Sequence, residues 1–139
     1  MSIAIARKTH SSAAAFRAVE AAVAFASARG KAVVAAAVDA SGDLLALLRA
    51  DGAFTASVVI GRDKAYTAAV FGLSTDDLSK ALSANPVVHS GIAARPGVVL
   101  FGGGLPIREG GEVIGAIGVS GGSEDDDRQC AEAALRALD

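Results

Sequence analysis

Alanine supplies much of the apolar content of this 139-residue chain, which restricts how its layers can pack. Hydrophobic residues make up 52% of the sequence but aromatic residues only 4%, with no tryptophan and one tyrosine. Small side chains fill a core only where the backbones approach one another closely. We therefore expect tightly packed helices, and one domain over residues 1–139, because a chain of this length supports a single core.

The charge balance and the cysteine content exclude several classes of protein. Thirteen basic and 15 acidic residues give a formal charge of -2, without the basic excess of a nucleic-acid-binding surface. The single cysteine cannot form an internal disulfide, and no Cys/His cluster predicts a zinc site. No apolar stretch reaches the ~18 residues of a membrane span. We expect a cytoplasmic protein with no nucleic-acid or membrane partner.

The first half of the chain predicts a helix, a β-hairpin and a second helix. Small apolar residues recur every three or four positions between the polar cluster at 9–12 and Gly30, as on a buried helix face. Two apolar runs, 31–39 and 44–49, flank a Ser-Gly-Asp turn and predict paired strands. Residues 54–71 then predict a helix with a seam of small side chains.

The second half predicts two helices, a loop and three strands. Ser74 is a candidate cap for a short helix that ends near Ser83, and Ser123 and Asp126 form a candidate capping box for the last helix. The segment 87–97 has no clear period and predicts a loop. The remaining apolar runs, 98–101, 105–108 and 113–120, predict strands. Tight turns between consecutive strands favour a five-stranded antiparallel sheet covered by helices.

The most distinctive local sequence is the glycine run Gly102, Gly103 and Gly104. Such a run can form a nest of backbone N–H groups for a carboxylate or phosphate, or a tight bend between two strands. The sequence favours the bend, and it lacks the Gly-Lys-Ser/Thr of a phosphate-binding loop.

Lys64 lies within the small-residue seam of the second predicted helix. An inward-pointing lysine is ion-paired, anchors a bound carboxylate, or acts as a base or Schiff-base amine. Asp39 and Asp51, which flank the hairpin, are its candidate partners. The structural ion pair is the favoured interpretation.

The two histidines, His10 and His89, are more often surface or capping residues than ligands, although either remains a candidate. Cys130 falls on the apolar stripe of the last helix and predicts a small core residue.

Six motifs in order carry a family resemblance. They are VDASGDL at 38–44, RADGA at 49–53, KAYTA at 64–68, ST at 74–75, FGGGLP at 101–106 and GAIGVSGG at 115–122. The chain resembles the GlcG/HbpS-like haem-binding family, which includes the C-terminal domain of PduO-type adenosyltransferases. The resemblance implies profilin-like α/β/α layers with a five-stranded antiparallel sheet, assembled as homo-oligomers from dimers to octamers.

The resemblance also implies candidate site residues. Haem iron needs an axial donor, and haem-binding relatives use a histidine in the first helix. The predicted body of that helix contains no histidine, so His10 takes this role only if the helix begins earlier than predicted. The other candidate donors are His89, Tyr66 and Cys130; the candidate ligand contacts are Gly102, Gly103, Gly104, Pro106, Arg49 and His89.

Two functions from different classes follow. In the first, the protein binds haem or a related carboxylated ligand in a pocket near a subunit interface. In the second, it is a cofactor-free isomerase, hydratase or lyase that acts on a small organic acid in catabolism, with Lys64 and Asp39 as an acid–base pair. A third possibility is an assembly factor without a ligand.

Overall fold

The computed structural model describes residues 1–139 and contains five helices and four strands. In chain order these are α1 (Ser12–Ser27), β1 (Val34–Asp39), β2 (Leu44–Arg49), α2 (Ala56–Phe71), α3 (Thr75–Leu82), α4 (Pro86–Ala93), β3 (Gly104–Glu109), β4 (Glu112–Ser120) and α5 (Glu124–Arg136).

The strands form one antiparallel sheet in the order β2-β1-β4-β3. The hairpins β1–β2 and β3–β4 lie side by side because β1 pairs with β4, with Val34 opposite Ser120 and Asp39 opposite Gly115. The central strand β1 is almost completely buried, and β4 is buried from Gly115 to Ser120. The edge strands β2 and β3 are more exposed, and β3 carries Pro106, which suits an edge position.

Helices cover both faces of the sheet. Helices α1 and α5 pack on one face, against alternate β1 residues such as Ala35 and Ala37. Helix α2 packs on the other face, against Ala36 and Val38. Because successive side chains of a strand point to opposite faces, the alanine-rich β1 supplies small contacts to both layers. The expected close packing of helices is confirmed.

The contact between α2 and β4 is the tightest of these packings. A Cβ atom built on Gly118 would overlap the Gly61 carbonyl oxygen and the Ala65 amide nitrogen, and would lie 3.0 Å from the Lys64 Cβ. Only a glycine at 118 lets the helix backbone rest directly on the strand. The seam of small residues in α2 was predicted to permit this approach.

The expected five-stranded sheet is wrong, because residues 98–101 do not form a strand. Two of their amides have other partners: the Val99 amide donates to the Thr67 hydroxyl at 3.0 Å and the Val98 amide donates to the Arg95 carbonyl at 3.3 Å. The segment runs over α2 instead of joining β3. A short apolar run has the same composition whether it forms a β-strand or an irregular segment packed on a helix, so its sequence does not distinguish the two.

The predicted loop at 87–97 is also wrong over most of its length, since it contains α4. Asn85 caps this helix by accepting from the Val88 amide at 3.2 Å, and Pro86 occupies the first turn. No residue of α4 is buried, so the helix has no apolar stripe that its sequence could reveal.

The other predicted helix boundaries are confirmed within a few residues. Ser74 accepts from the Asp77 amide at 3.0 Å, and Ser123 and Asp126 form the predicted capping box at the start of α5. Helix α1 begins at Ser12 with Ser11 as its cap. None of the helices has the length and apolar character needed to cross a membrane.

Adding a methyl group at Gly118 tests the close approach. Gly118→Ala should lower the free energy of unfolding by about 2–3 kcal/mol, because the clash is with backbone that cannot rotate away. The matched control is Gly91→Ala in α4, where nothing lies within 4 Å of the added Cβ and alanine favours the helix by up to about 1 kcal/mol. Urea unfolding measures both, and equal stabilities of the two variants would contradict the packing described.

Candidate functional site

Lys64 forms a buried ion pair. Its side chain is 1% exposed, and its Nζ donates to Asp127 Oδ2 at 3.0 Å and to the Val119 carbonyl at 2.9 Å. The other carboxylate oxygen of Asp127 accepts from the Gly122 amide at 3.0 Å. The ion-pair interpretation is confirmed, whereas the predicted partners Asp39 and Asp51 are wrong.

Asp39 has a structural role in the hairpin. Its Oδ1 accepts from the amides of Ser41 and Asp43 at 2.9 and 3.0 Å, which stabilises the turn between β1 and β2. Val119, which contacts the Lys64 amine, lies opposite Ala35 on β1, four residues before Asp39 and thus roughly 13 Å along the strand. The two members of the proposed acid–base pair are therefore far apart.

The glycine run lies directly against the Lys64 amine. Gly103 has φ +124°, and a Cβ at this position would lie 2.8 Å from Lys64 Nζ. The Gly104 amide donates to the Thr75 hydroxyl at 3.1 Å, and the Phe101 ring centroid lies 5.0 Å from Nζ. The glycine bend and the amine therefore meet, but the carboxylate at the amine is that of Asp127, and none of the pockets borders this contact.

Other charged side chains stabilise the position of the start of α5. Burial raises the pKa of the Asp127 carboxyl, and the neighbouring Lys64 charge opposes this shift. The next residue, Arg128, makes two hydrogen bonds of 2.8 Å to Asp76 and a third to Glu124. These bonds hold the pKa of Asp76 below its usual range and tie α3 to α5. The acidic first turn of α5 is thus largely a structural feature.

His10 is the polar side chain that the fold buries without a partner. It is 4% exposed and precedes the α1 cap, where its backbone amide donates to the Ile114 carbonyl at 2.7 Å. Neither ring nitrogen makes a hydrogen bond. Burial lowers the pKa of the imidazole, the Val38 carbonyl, which lies near the ring but outside hydrogen-bond geometry, raises it, and the Arg17 charge lowers it. The imidazole is neutral at pH 7, the form that ligates metals.

A pocket of about 400 Å³ opens beside His10. It lies between the start of α1, the β3–β4 hairpin and the end of α5. The lining residues are Thr9, His10, Ser11, Ala14, Arg17, Ile107, Arg108, Glu109, Ile114 and Leu138.

A second pocket, also of about 400 Å³, shares Ile107, Arg108 and Leu138 with the first. It adds Pro106 and the end of α5, so the two pockets form one groove along the edge strand β3. We call this the β3 groove.

Of the other predicted ligand contacts, Pro106 lies in the β3 groove, whereas Arg49 and His89 lie outside it. Arg49 donates to the Ala53 carbonyl at 2.9 Å and borders a separate pocket of about 350 Å³ at the end of α1. His89 is half-buried on α4, and its imidazole makes no hydrogen bond. The Tyr66 ring lies between Gly42 and Gly97, beside a pocket of about 240 Å³. Ligand roles for Arg49, Pro106 and His89 stay predictions.

Cys130 is a core residue, as predicted. It is 2% exposed within the cluster formed by α1, α5 and the sheet. Burial raises the pKa of the thiol to about 11, and the charges of Asp127 and Asp126 act in the same direction. The group is a protonated thiol at neutral pH.

The fold and the site define a class: a three-layer α/β protein with a four-stranded antiparallel sheet and a buried, unpaired histidine beside an edge groove. A family model described as "Haem degrading protein HbpS-like" matches residues 11–136. The chain belongs to this HbpS-like family, which confirms the resemblance.

Known proteins of similar sequence and structure support this family assignment. HbpS of Streptomyces reticuli, solved as a double mutant, superposes with a TM-score of 0.88 at 33% identity, covering 98% of this chain and 91% of its own. A PduOC:heme complex gives 0.84 at 30% identity, covering 93% and 94%. An uncharacterized 15.0 kDa protein in the dhaT-dhaS intergenic region of Citrobacter freundii is 40% identical over 74% of this chain and 73% of its own length.

Removing the buried cation should weaken the fold strongly. Lys64→Met leaves the Asp127 carboxylate buried without its partner, and we expect the free energy of unfolding to fall by about 3–5 kcal/mol. Adding Asp127→Leu should recover part of this loss, because it removes the stranded charge. Lys8→Met, which breaks the exposed 3.7 Å pair with Glu109, should cost less than about 1 kcal/mol in the same denaturant titration. Similar losses for the two single variants would contradict the buried pair.

Acid should weaken the fold through His10. An unfolded histidine has a pKa of about 6.5, and burial holds the folded value below it. Below about pH 6.5 the unfolded state binds the proton more readily, so the free energy of unfolding decreases as the pH falls, by at most about 1.4 kcal/mol per pH unit. Urea unfolding between about pH 7.5 and about pH 5.5 measures this slope.

His10→Leu should lose the greater part of that slope, and His89→Leu should retain it. An unchanged slope in the His10 variant would show that another group carries the pH dependence.

Proposed function

We propose that this protein binds haem in the pocket beside His10, with the imidazole as the iron ligand. The observation that carries the proposal is the buried His10 ring, whose nitrogens have no hydrogen-bond partner in the chain. An unpaired buried polar group is costly unless something else satisfies it. The family membership and the similarity to the PduOC:heme complex support haem as that group.

The residues around His10 fit a haem group. Its neutral imidazole is a common axial ligand, and Ala14, Ile107, Ile114 and Leu138 supply apolar surface for a macrocycle. The β3 groove extends this surface beyond the pocket, within the size range of small-molecule sites. Bound haem supplies iron-centred redox and oxygen chemistry, while the chain binds, orients and shields the group.

The segment before α1 controls access to the imidazole. The Arg7 guanidinium donates to the Ala40 carbonyl at 2.6 Å, and the Ala40 amide donates to the Thr9 hydroxyl at 3.0 Å. These bonds hold His10 against β4, where a Cβ on Gly115 would lie 3.2 Å from its Nδ1. Because both ring nitrogens are covered, ligation requires a local shift of residues 7–10.

The alternative function, a cofactor-free enzyme acting on a small organic acid, finds no support. The Lys64 amine is saturated by Asp127 and the Val119 carbonyl, and Asp39 holds a turn at the other end of β1. A base must lie within about 3 Å of the proton that it removes. No pocket borders either group.

We further propose that copies of the chain assemble into a homo-oligomer between a dimer and an octamer. Large apolar side chains on α2 and α4 and just before α2 are exposed: Val87 is 82% exposed, Phe54 69% and Val59 51%. Large apolar side chains exposed in this way commonly mark an interaction site where they form one patch. Native mass spectrometry should show a discrete assembly that Val87→Glu dissociates, and a purely monomeric wild type would contradict the proposal.

Haemin titration tests the iron ligand. The wild type should develop a shifted Soret band that saturates at one haemin per chain. His10→Ala should lose this shift and bind at least about tenfold more weakly, because the iron–nitrogen bond is gone. His89→Ala is the matched control and should behave as the wild type. Loss of the band in the His89 variant alone would assign the ligand to α4, and absence of the band in the wild type would contradict haem binding.

A further inference from the structure

The pocket beside His10 carries a cation that the chain itself does not use. Ser11, Ala14 and Arg17 follow one another at a spacing of three, so all three lie on the face of α1 that borders the pocket. The Arg17 guanidinium makes no hydrogen bond or ion pair within the chain, and its charge acts on the His10 ring. An arginine in this position is free to meet an anion.

The other charges around the pocket are already engaged. Glu109 lies 3.7 Å from the Lys8 amine, and Arg108 donates to the Gly72 carbonyl at 2.7 Å. The first turn of α1 contains no acidic residue, so the positive end of this 16-residue helix also faces the pocket without a counter-charge. The unpaired His10 ring is an independent sign that a ligand completes this site.

These charges differ from the carboxylate-binding groups that the sequence predicts. The Lys64 amine is already paired with Asp127, and within the glycine run the Gly104 amide donates to the Thr75 hydroxyl. Arg17 combines a free guanidinium with a position on the wall of a pocket. Guanidinium groups bind carboxylates through paired hydrogen bonds, and they do so more selectively than a lysine amine.

We propose that Arg17 receives a carboxylate of the ligand whose metal or ring is bound at His10, so that the pocket selects acidic porphyrins over neutral ones. This inference rests on the proposed haem-binding function and adds to it the chemical class of the ligand's periphery. The two contacts are separable, because one acts through the iron and the other through the ligand's acid groups.

The test compares three porphyrins and four forms of the full chain. The porphyrins are haemin, its dimethyl ester, which lacks the carboxylates, and protoporphyrin IX, which lacks the iron. The chains are the wild type, Arg17→Gln, Arg17→Lys and the control Arg95→Gln, an exposed arginine outside the pocket. Absorbance or porphyrin fluorescence measures each dissociation constant.

Arg17→Gln should weaken binding of haemin and of protoporphyrin IX by about two- to fivefold, the range for a solvent-accessible charged contact. Arg17→Lys should restore part of the affinity, and Arg95→Gln should leave it unchanged. The ester should bind the wild type and Arg17→Gln equally. Added salt should reduce the affinity of the wild type for haemin more than that of Arg17→Gln.

The outcomes separate this inference from the proposed function. Tight haemin binding that is the same in the wild type and Arg17→Gln, or an equal loss for the ester, overturns the role of Arg17 and leaves haem binding intact. Arg17-dependent binding of protoporphyrin IX without a Soret shift for haemin supports the role of Arg17 and overturns ligation by His10. Failure of the wild type to bind any of the three overturns both.

Discussion

The direct contact between the backbones of α2 and β4 determines the rest of this structure. Gly118 on the strand and Gly61 on the helix leave no side chain between the two elements. Helix α2 therefore lies low on the sheet, and alanines at 65 and 68 complete the layer. At this depth the Lys64 amine reaches the end of β4, where it donates to the Val119 carbonyl and lies against Gly103. A larger residue in the seam would lift the helix and expose the amine to water.

That position explains why a charged pair is found inside a protein built from small apolar residues. Asp127 comes from the start of α5, on the opposite side of the sheet from α2, and the pair links the two helical layers around the end of β4. Buried ion pairs contribute little net stability, because desolvation opposes the attraction, but each partner depends on the other. We interpret the Lys64–Asp127 pair as a device that fixes where α5 begins relative to α2.

The sequence was sufficient for elements whose signals are local. Both hairpins, the caps at Ser74 and Ser123, and the small-residue seam follow from patterns within a few residues of one another. The segment at 98–101 was misassigned because its amide partner is the Thr67 hydroxyl, 32 residues away from Val99. Helix α4 was missed because no face of it is buried, so its apolar residues do not recur at helical spacing.

In the candidate site, too, local features were predicted from the sequence and long-range contacts were not. Lys64 and His10 were identified from residue type and position, but their surroundings were not. The partner of Lys64 is 63 residues distant along the chain, in an acidic run that also predicts simple helix capping. The missing partners of His10 have no counterpart in the sequence at all, since an unsatisfied atom becomes visible only when every neighbour is in place. Arg17 escaped notice for the same reason.

The burial of Cys130 has a consequence for the chemistry that this protein tolerates. With its pKa near 11 and 2% of its surface exposed, the chain's one sulfhydryl stays out of reach of peroxides and of other thiols. A redox-active ligand in the β3 groove would therefore not oxidise the Cys130 thiol or drive it to form a disulfide between two chains.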